Sequence, residues 1–155
     1  AMRELIQLGV VYTNGKNTRK EYKRLEKEKY WSIGKKYLKS PVKKTIWINQ
    51  EKIDEVYAGD SALEHLTMMN AVEYKVYAID KRNIDKYISY EISEQSQNCC
   101  KVEIWNYDPQ LFADENNNVD IISLYSSFMN FDDERVHIEL EELMEEYLND
   151  RIREV

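Results

Sequence analysis

The stretch EYKVYAI, Glu73–Ile79, decides the fold class that the sequence predicts. Its side chains alternate between two sets, which are Tyr74, Val76 and Ala78 on one side and Lys75, Tyr77 and Ile79 on the other. A period of two residues is typical of a β strand, because successive side chains of a strand point to opposite faces of the sheet. We therefore expect a strand at this position.

Three further segments have the same character. They are VKKTIWI (Val42–Ile48), KYISYEI (Lys86–Ile92) and KVEIWNY (Lys101–Tyr107). The polar SEQSQN between the last two predicts a hairpin-like connection, which places Cys99 and Cys100 at the start of a strand. Together these segments predict a small mixed or antiparallel sheet of about four strands.

A helix is predicted immediately before the strand at Glu73, within YAGDSALEHLTMMN (Tyr57–Asn70). Ala62, Leu66 and Met69 share one face of this helix, with Leu63 beside them. The spacing Ser61-x-x-Glu64 matches a capping box, so Asp60, Ser61 and Glu64 are expected to start the helix rather than to perform chemistry.

The C-terminal third of the chain has helical periodicity. Ile121, Leu124, Tyr125 and Phe128 recur at helical spacing, and so do Val136, Leu140, Leu143 and Tyr147. NFDD separates the two series, with Asp132 or Asp133 as an N-cap. We expect an αα-hairpin with its apolar seam against the sheet, which makes the fold class α+β.

The N-terminal region leaves two readings open. Gly9 is placed as a helix C-cap, and Asn14-Gly15 is a strong signal for a β hairpin. Thr18-x-x-Glu21 could instead be a capping box that opens a helix. A further helix is expected in Glu26–Lys39, and Ser40-Pro41 would end it because the residue before proline avoids the α region.

Charge is distributed unevenly along the 155 residues. The net charge is −7, but residues 1–52 carry 14 Lys/Arg against 5 Asp/Glu, whereas residues 53–155 carry 8 against 24. A basic segment of this density attracts phosphate backbones and an acidic one repels them, unless both are simply solvated surface. We divide the chain into a basic N-terminal segment, residues 1–40, and an acidic α+β effector domain, residues 41–155.

Motifs that would indicate catalysis are few. His65 and His137 have no nucleophile or metal-ligand spacing around them, and a site built from Asp60, His65 and His137 is not supported. GDSAL resembles a nucleophile motif of one esterase family, but the downstream Asp-x-x-His of that family is missing. No phosphate-binding glycine loop occurs, and no cofactor is predicted.

The expected compartment is the cytoplasm. Two adjacent cysteines make no disulfide framework, no apolar run approaches the roughly 20 residues that span a bilayer, and no charged-then-apolar leader opens the chain. The initial Ala1-Met2 is typical of an expression scar before a fragment, so a preceding segment is expected to be missing.

Several stretches resemble the C-terminal region of winged-helix regulators related to type IV (AbiEi-like) abortive-infection antitoxins. They are YAGDSALEHLTMMNAVEYKVYAID and the later VDIISLYSSFMNFDDERVHIELEELMEEY. In addition, RELIQLGVV resembles the third helix of a winged helix, YTNGKNTRKEYKRL its wing, and YWSIGKKYLKSPVKKTIWI the linker that follows. Two upstream helices of a complete winged helix are absent from this sequence.

This resemblance implies a non-enzymatic regulator or antitoxin that binds DNA as a full-length protein and uses the present region to bind a cognate toxin or to dimerise. On a wing, basic side chains would contact phosphates. The candidates are Lys16, Arg19, Lys20, Lys23 and Arg24.

Two alternatives belong to other functional classes. A small metal-dependent enzyme acting on nucleotides or nucleic acid would use carboxylates near strand or helix ends, such as Asp60, Asp80 and Asp108. A stand-alone protein-interaction module would instead dock a partner on an aromatic sheet face. The candidate partner-binding residues are Trp47, Tyr77 and Trp105.

Overall fold

The computed structural model describes residues 2–15, 21–70 and 72–150. The chain divides into two compact units. Lys39–Tyr147 forms one unit, and Ala1–Leu38 together with Leu148–Val155 forms the other. The sequence predicted helices in segments before and after the strands. The observed fold class is α+β, which agrees with that prediction.

The unit that contains the N-terminus combines short helices with a two-stranded sheet. Its elements are α1 (Met2–Gln7), β1 (Val11–Asn14), β2 (Glu21–Arg24), α2 (Lys27–Gly34) and a 3-10 turn (Lys35–Tyr37). Gly9 has a φ of +73°, and its N–H donates to Ile6 O at 3.0 Å. This left-handed residue ends α1, which confirms Gly9 as a C-cap.

Strands β1 and β2 form an antiparallel hairpin, which decides between the two readings of this region. Val11 pairs with Arg24 at one end and Asn14 pairs with Glu21 at the other. Glu21 therefore begins a strand and not the helix of the alternative reading. Lys16, Thr18, Arg19 and Lys20 themselves lie outside the described residues.

A five-stranded mixed sheet forms the centre of the second unit. Its strands are β3 (Val42–Ile48), β4 (Val56–Tyr57), β5 (Val76–Asp80), β6 (Glu91–Ile92) and β7 (Cys100–Trp105), arranged in the order β4-β5-β7-β3-β6. Strands β5 and β7 are parallel, and the other neighbours are antiparallel. The predicted strand at Val42–Ile48 is confirmed to the residue, and β7 starts at a cysteine as expected.

Side chains cover both faces of this sheet. On one face, α3 (Gly59–Leu66), α4 (Ile121–Ser127) and α5 (Glu134–Asp150) contribute to a core that includes Ala62, Leu63, Trp105, Leu124 and Leu140. A second cluster fills the opposite face. It contains Ile46, Ile48, Tyr77, Ile79, Cys100, Val102 and Ile104. Strand β5 is consequently buried along its whole length.

The strand predicted over Lys86–Ile92 is wrong for most of its length. Lys81–Lys86 and Ile88–Tyr90 are 3-10 turns, and only Glu91–Ile92 pairs with the sheet. The turns bring Ile84 and Tyr87 against the second cluster, where the Tyr87 hydroxyl donates to Glu55 Oε1 at 2.7 Å. These residues therefore cover a face of the sheet, although their local alternation of apolar side chains is typical of a strand.

Helix α3 also begins differently from the prediction. Ala58 occupies the N-cap position with no side-chain cap, so the predicted capping box is wrong. The Ser61 Oγ instead accepts a hydrogen bond from the Val76 N–H at 2.9 Å, and Glu64 pairs with Lys75 Nζ at 3.3 Å. The expected apolar face is confirmed at Ala62 and Leu66, which pack in the core beside Leu63, but α3 ends at Leu66 and Met69 lies beyond it.

Two C-terminal helices follow the sheet, as predicted. The Asp120 side chain accepts from the Ser123 N–H at the start of α4, and Asp133 accepts from the Arg135 N–H at the start of α5. The predicted stripe of α5 is buried at Val136, Leu140 and Leu143.

The first turn of α3 generates a stability prediction at Gly59. Its φ is +48°, and a Cβ there would lie 2.9 Å from Glu103 Oε1 and 3.0 Å from Val76 Cγ1. We expect Gly59→Ala to lower the free energy of unfolding by about 1–3 kcal/mol, because strain and overpacking add. Urea unfolding followed by circular dichroism measures this change.

Gly34→Ala is the matched control. A Cβ at Gly34 meets nothing within 4 Å, and the residue has helical dihedral angles. This substitution should be neutral or stabilise by up to about 1 kcal/mol. Equal effects of the two substitutions would contradict the role assigned to Gly59.

Candidate functional site

The β1–β2 hairpin is an exposed ribbon that carries two of the predicted phosphate-contacting residues, Lys23 and Arg24. All four residues of β2 are exposed, as are the last three of β1. Tyr12 pairs with Lys23, and Thr13 pairs with Tyr22. Residues directly opposite each other in an antiparallel pair share a face, and neighbours along a strand alternate. One face of the ribbon thus carries Tyr12 and Lys23, and the other carries Tyr22 and Arg24.

Two of the five predicted phosphate-contacting residues can be located. Lys23 and Arg24 are exposed and lie on opposite faces of the hairpin. Lys16, Arg19 and Lys20 belong to the connection between the strands and lie outside the described residues. Because two cations are displayed on a free ribbon, phosphate groups can approach from either side.

The three aromatic residues predicted to bind a partner have different environments. Tyr77 is 1% exposed and Trp105 is 0% exposed, so both are core residues and are not available at a docking surface. Trp47 is half-buried and packs edge-to-face on Tyr74, with ring centroids 4.6 Å apart. Both faces of the sheet are covered, so the alternation of side chains along a strand does not show which aromatic residues remain accessible. The sequence alone therefore led to the same prediction for all three.

Two of the three carboxylates of the enzyme alternative, Asp80 and Asp108, are used in local structure. Asp80 accepts hydrogen bonds from the backbone N–H and the Nε of Arg82, and these bonds lower the pKa of its carboxyl group. Asp108 accepts from the Gln110 N–H at the start of the 3-10 turn Pro109–Phe112. Within residues 2–15, 21–70 and 72–150, no three His, Cys, Asp or Glu side chains are grouped in a way that suits a metal ion.

His65 takes part in a hydrogen-bond chain that sequence reasoning missed. Its Nδ1 lies 2.7 Å from Asn118 Oδ1, and the Asn118 Nδ2 donates to Asp114 Oδ2 at 3.0 Å. Since the amide nitrogen faces Asp114, its oxygen faces the ring and the His65 Nδ1 carries the hydrogen. The ring also meets Tyr57 edge-to-face. This chain fixes the loop 114–118 to α3.

His137 has a structural contact of its own. Its Nε2 lies 2.6 Å from the carbonyl oxygen of Phe131, so this nitrogen carries a hydrogen and donates it. The contact closes the turn before α5. Both histidines therefore behave as boundary residues, as the sequence indicated.

Glu103 is a buried carboxyl group that no sequence motif predicted. It is 7% exposed, and its Oε2 accepts from the Trp105 Nε1–H at 3.0 Å. Burial raises the pKa of this carboxyl above its ordinary value of 4.5, and the nearby charge of Asp60 raises it further. The hydrogen bond from Trp105 and the charge of Lys101 act in the opposite direction. Position 103 falls on the helix-covered face of β7, beside Gly59.

An open cleft of about 680 Å³ lies beside the starts of β5 and β7. It is lined by Glu51, Lys52, Glu73, Tyr74, Lys75 and residues 95–99. The two lysines and two glutamates give the cleft no net charge with which to select an ion. Of the free cysteines beside it, Cys100 is fully buried, and burial raises the pKa of its thiol to about 12. That thiol is consequently not a nucleophile near neutral pH.

Among the described residues, no helix combines the length and the apolar character that crossing a membrane requires. Comparison of the chain with protein-family models, with curated proteins and with solved structures found no match. The resemblance to winged-helix regulators accordingly rests on the sequence, and what it implies is argued below as a proposal.

Glu103 generates a prediction about pH. Its folded-state pKa lies above 4.5, so the folded state holds a proton that the unfolded state releases, and stability falls as pH rises above about 4.5. Glu103→Gln removes this loss while keeping an oxygen for Trp105. We expect the stability of the variant relative to the unsubstituted protein to increase with pH, as measured by urea unfolding across the acidic to neutral range.

Glu94→Gln is the control, because Glu94 is exposed in the connection before β7. Its effect should be small at every pH. A stability difference for Glu103→Gln that stays constant with pH would show that the Glu103 carboxyl group titrates as it does in the unfolded chain.

Proposed function

We propose that the chain is a non-enzymatic part of a DNA-binding transcriptional regulator or antitoxin. In this proposal the basic hairpin contacts DNA phosphates, and the acidic α+β unit binds a partner protein or a second copy of the chain. The cytoplasm is the proposed compartment. The observation that carries the proposal is the exposed hairpin with cations on both faces, in a chain whose charge is otherwise strongly acidic.

The uneven distribution of charge supports the two different roles proposed for the hairpin and the acidic unit. Ala1–Leu38 carries ten Lys/Arg and four Asp/Glu, whereas Lys39–Tyr147 carries ten and 23. Phosphate binding depends on releasing condensed counterions from DNA, and cations on a protein surface do this without reading base sequence. An acidic unit opposes DNA and favours a basic protein partner, such as a cognate toxin.

The order of elements supports the winged-helix assignment. A short helix, α1, is followed by a two-stranded hairpin, which is the order of the last helix and the wing in such domains. We further propose that α4 and α5 form the αα-hairpin expected from the sequence. The hydrogen bond from the Tyr125 hydroxyl to Glu141 Oε1, at 2.6 Å, joins them.

A non-enzymatic role is favoured over the metal-dependent enzyme by what the candidate side chains do. Asp80 and Asp108 have local hydrogen-bond partners, and His65 uses Nδ1 to hold Asn118. Catalytic groups need a reacting atom within hydrogen-bond reach and a third group to orient them. The groups described here are satisfied by backbone and neighbouring side chains instead.

Charge reversal on the hairpin tests the proposal. We expect Lys23→Glu with Arg24→Glu to weaken binding of the 155-residue chain to duplex DNA by roughly tenfold at low salt, for unrelated sequences alike. The slope of log K against log salt should fall by about 0.9 for each phosphate contact that is lost. Fluorescence anisotropy with two labelled duplexes of unrelated sequence measures both quantities.

Lys43→Glu with Lys44→Glu is the matched control, because it makes the same charge change at exposed positions of β3 in the acidic unit. Binding should change little in this variant. If the two double variants lose affinity equally, net charge rather than the hairpin governs binding. If the unsubstituted chain binds no duplex at any salt concentration, the proposed DNA contact is wrong.

A further inference from the structure

The hairpin carries aromatic rings as well as cations. Tyr12 is 47% exposed and Tyr22 is 51% exposed, whereas Tyr77 in the sheet of the second unit is 1% exposed. Every residue of the ribbon except Val11 is exposed, so neither face of it is packed against a core. A tyrosine that only serves packing would lie on a covered face. These two lie on an uncovered ribbon.

The register places one ring beside one cation on each face. Tyr12 lies directly opposite Lys23, and such cross-strand pairs have Cβ atoms about 4.5–5.5 Å apart. Tyr22 and Arg24 are two residues apart on β2, which is about 6.6 Å along a strand. The only carboxylate of the ribbon, Glu21, lies at the end of β2 opposite Asn14, on the same face as Tyr12 and Lys23. Each face therefore offers a flat apolar ring next to a positive charge.

We propose that this hairpin binds unpaired nucleotides, with Tyr12 and Tyr22 stacking on bases while Lys23 and Arg24 contact the phosphates beside them. The inference rests on the proposed DNA contact and names its ligand as single-stranded DNA. Phosphates alone do not require exposed rings, because duplex DNA presents its charge outward and keeps its bases stacked on each other. Unpaired bases expose both π-faces, which is the surface that an exposed tyrosine matches.

Two strands of equal charge separate stacking from electrostatics. One is a labelled oligothymidine, and the other has the same length and phosphate number but consists of abasic sites. The unsubstituted 155-residue chain should bind the oligothymidine at least about tenfold more tightly, since only that strand supplies bases for stacking. Anisotropy at one fixed salt concentration gives both affinities.

Substitution of the two tyrosines then tests whether their rings cause the preference for oligothymidine. Tyr12→Leu with Tyr22→Leu should lower affinity for the oligothymidine by about tenfold or more, with little change on the abasic strand or on duplex DNA. Tyr12→Phe with Tyr22→Phe keeps both rings and should keep the affinity. The matched control is Tyr37→Leu, because Tyr37 is 52% exposed and lies in the 3-10 turn Lys35–Tyr37, outside the ribbon.

The outcomes distinguish this inference from the function on which it rests. Equal binding of the oligothymidine and the abasic strand, or no loss of affinity in the leucine variant, overturns base stacking. If Lys23→Glu with Arg24→Glu still weakens DNA binding in that case, the proposed phosphate contact is preserved. A loss in the phenylalanine variant also overturns stacking, because it assigns the effect to the hydroxyl groups. Absence of binding to every strand and duplex overturns both proposals.

Discussion

The parallel pairing of β5 with β7 is the constraint on which the second unit depends. Strand β5 is buried at all five positions, so its backbone groups must be satisfied by protein. Its first N–H, on Val76, finds the hydroxyl of Ser61, and the Val76 carbonyl accepts from Ala58. The start of α3 is thereby fixed to the first residue of β5. Gly59 is required at this point because Glu103 and Val76 leave no room for a side chain.

Parallel pairing also determines what the chain between the two strands has to do. Parallel neighbours cannot be joined by a tight hairpin, so residues 81–99 must cross from one end of the sheet to the other. In crossing, they cover the face that the helices leave open. Ile84 and Tyr87 pack there, and Glu55 accepts the Tyr87 hydroxyl. The two short 3-10 turns, and not a long edge strand, place these side chains on the sheet.

Local patterns predicted the elements, and distant contacts account for what they missed. Val42–Ile48 and Gly9 were predictable because alternation and a left-handed C-cap are properties of neighbouring residues. The Ser61 bond to Val76 spans 15 residues and the His65 bond to Asn118 spans 53, so no short window contains either partner. The same limit applies to burial. Trp105 and Trp47 occupy similar positions in their predicted strands. The arrangement of the helices makes Trp105 a core residue and leaves Trp47 half-buried.

The opposite charges of the two units bear on how the chain can bind a polyanion at all. With a Debye length of about 8 Å at physiological ionic strength, a phosphate interacts mainly with charges in its immediate surroundings. The local density of cations on the β1–β2 hairpin then matters more than the net charge of −7. At low ionic strength the screening weakens, and repulsion from the acidic unit reaches further. In the proposed function, the cations of the hairpin would therefore act on phosphates at short range, and the acidic charge of the chain would oppose association with DNA over longer distances.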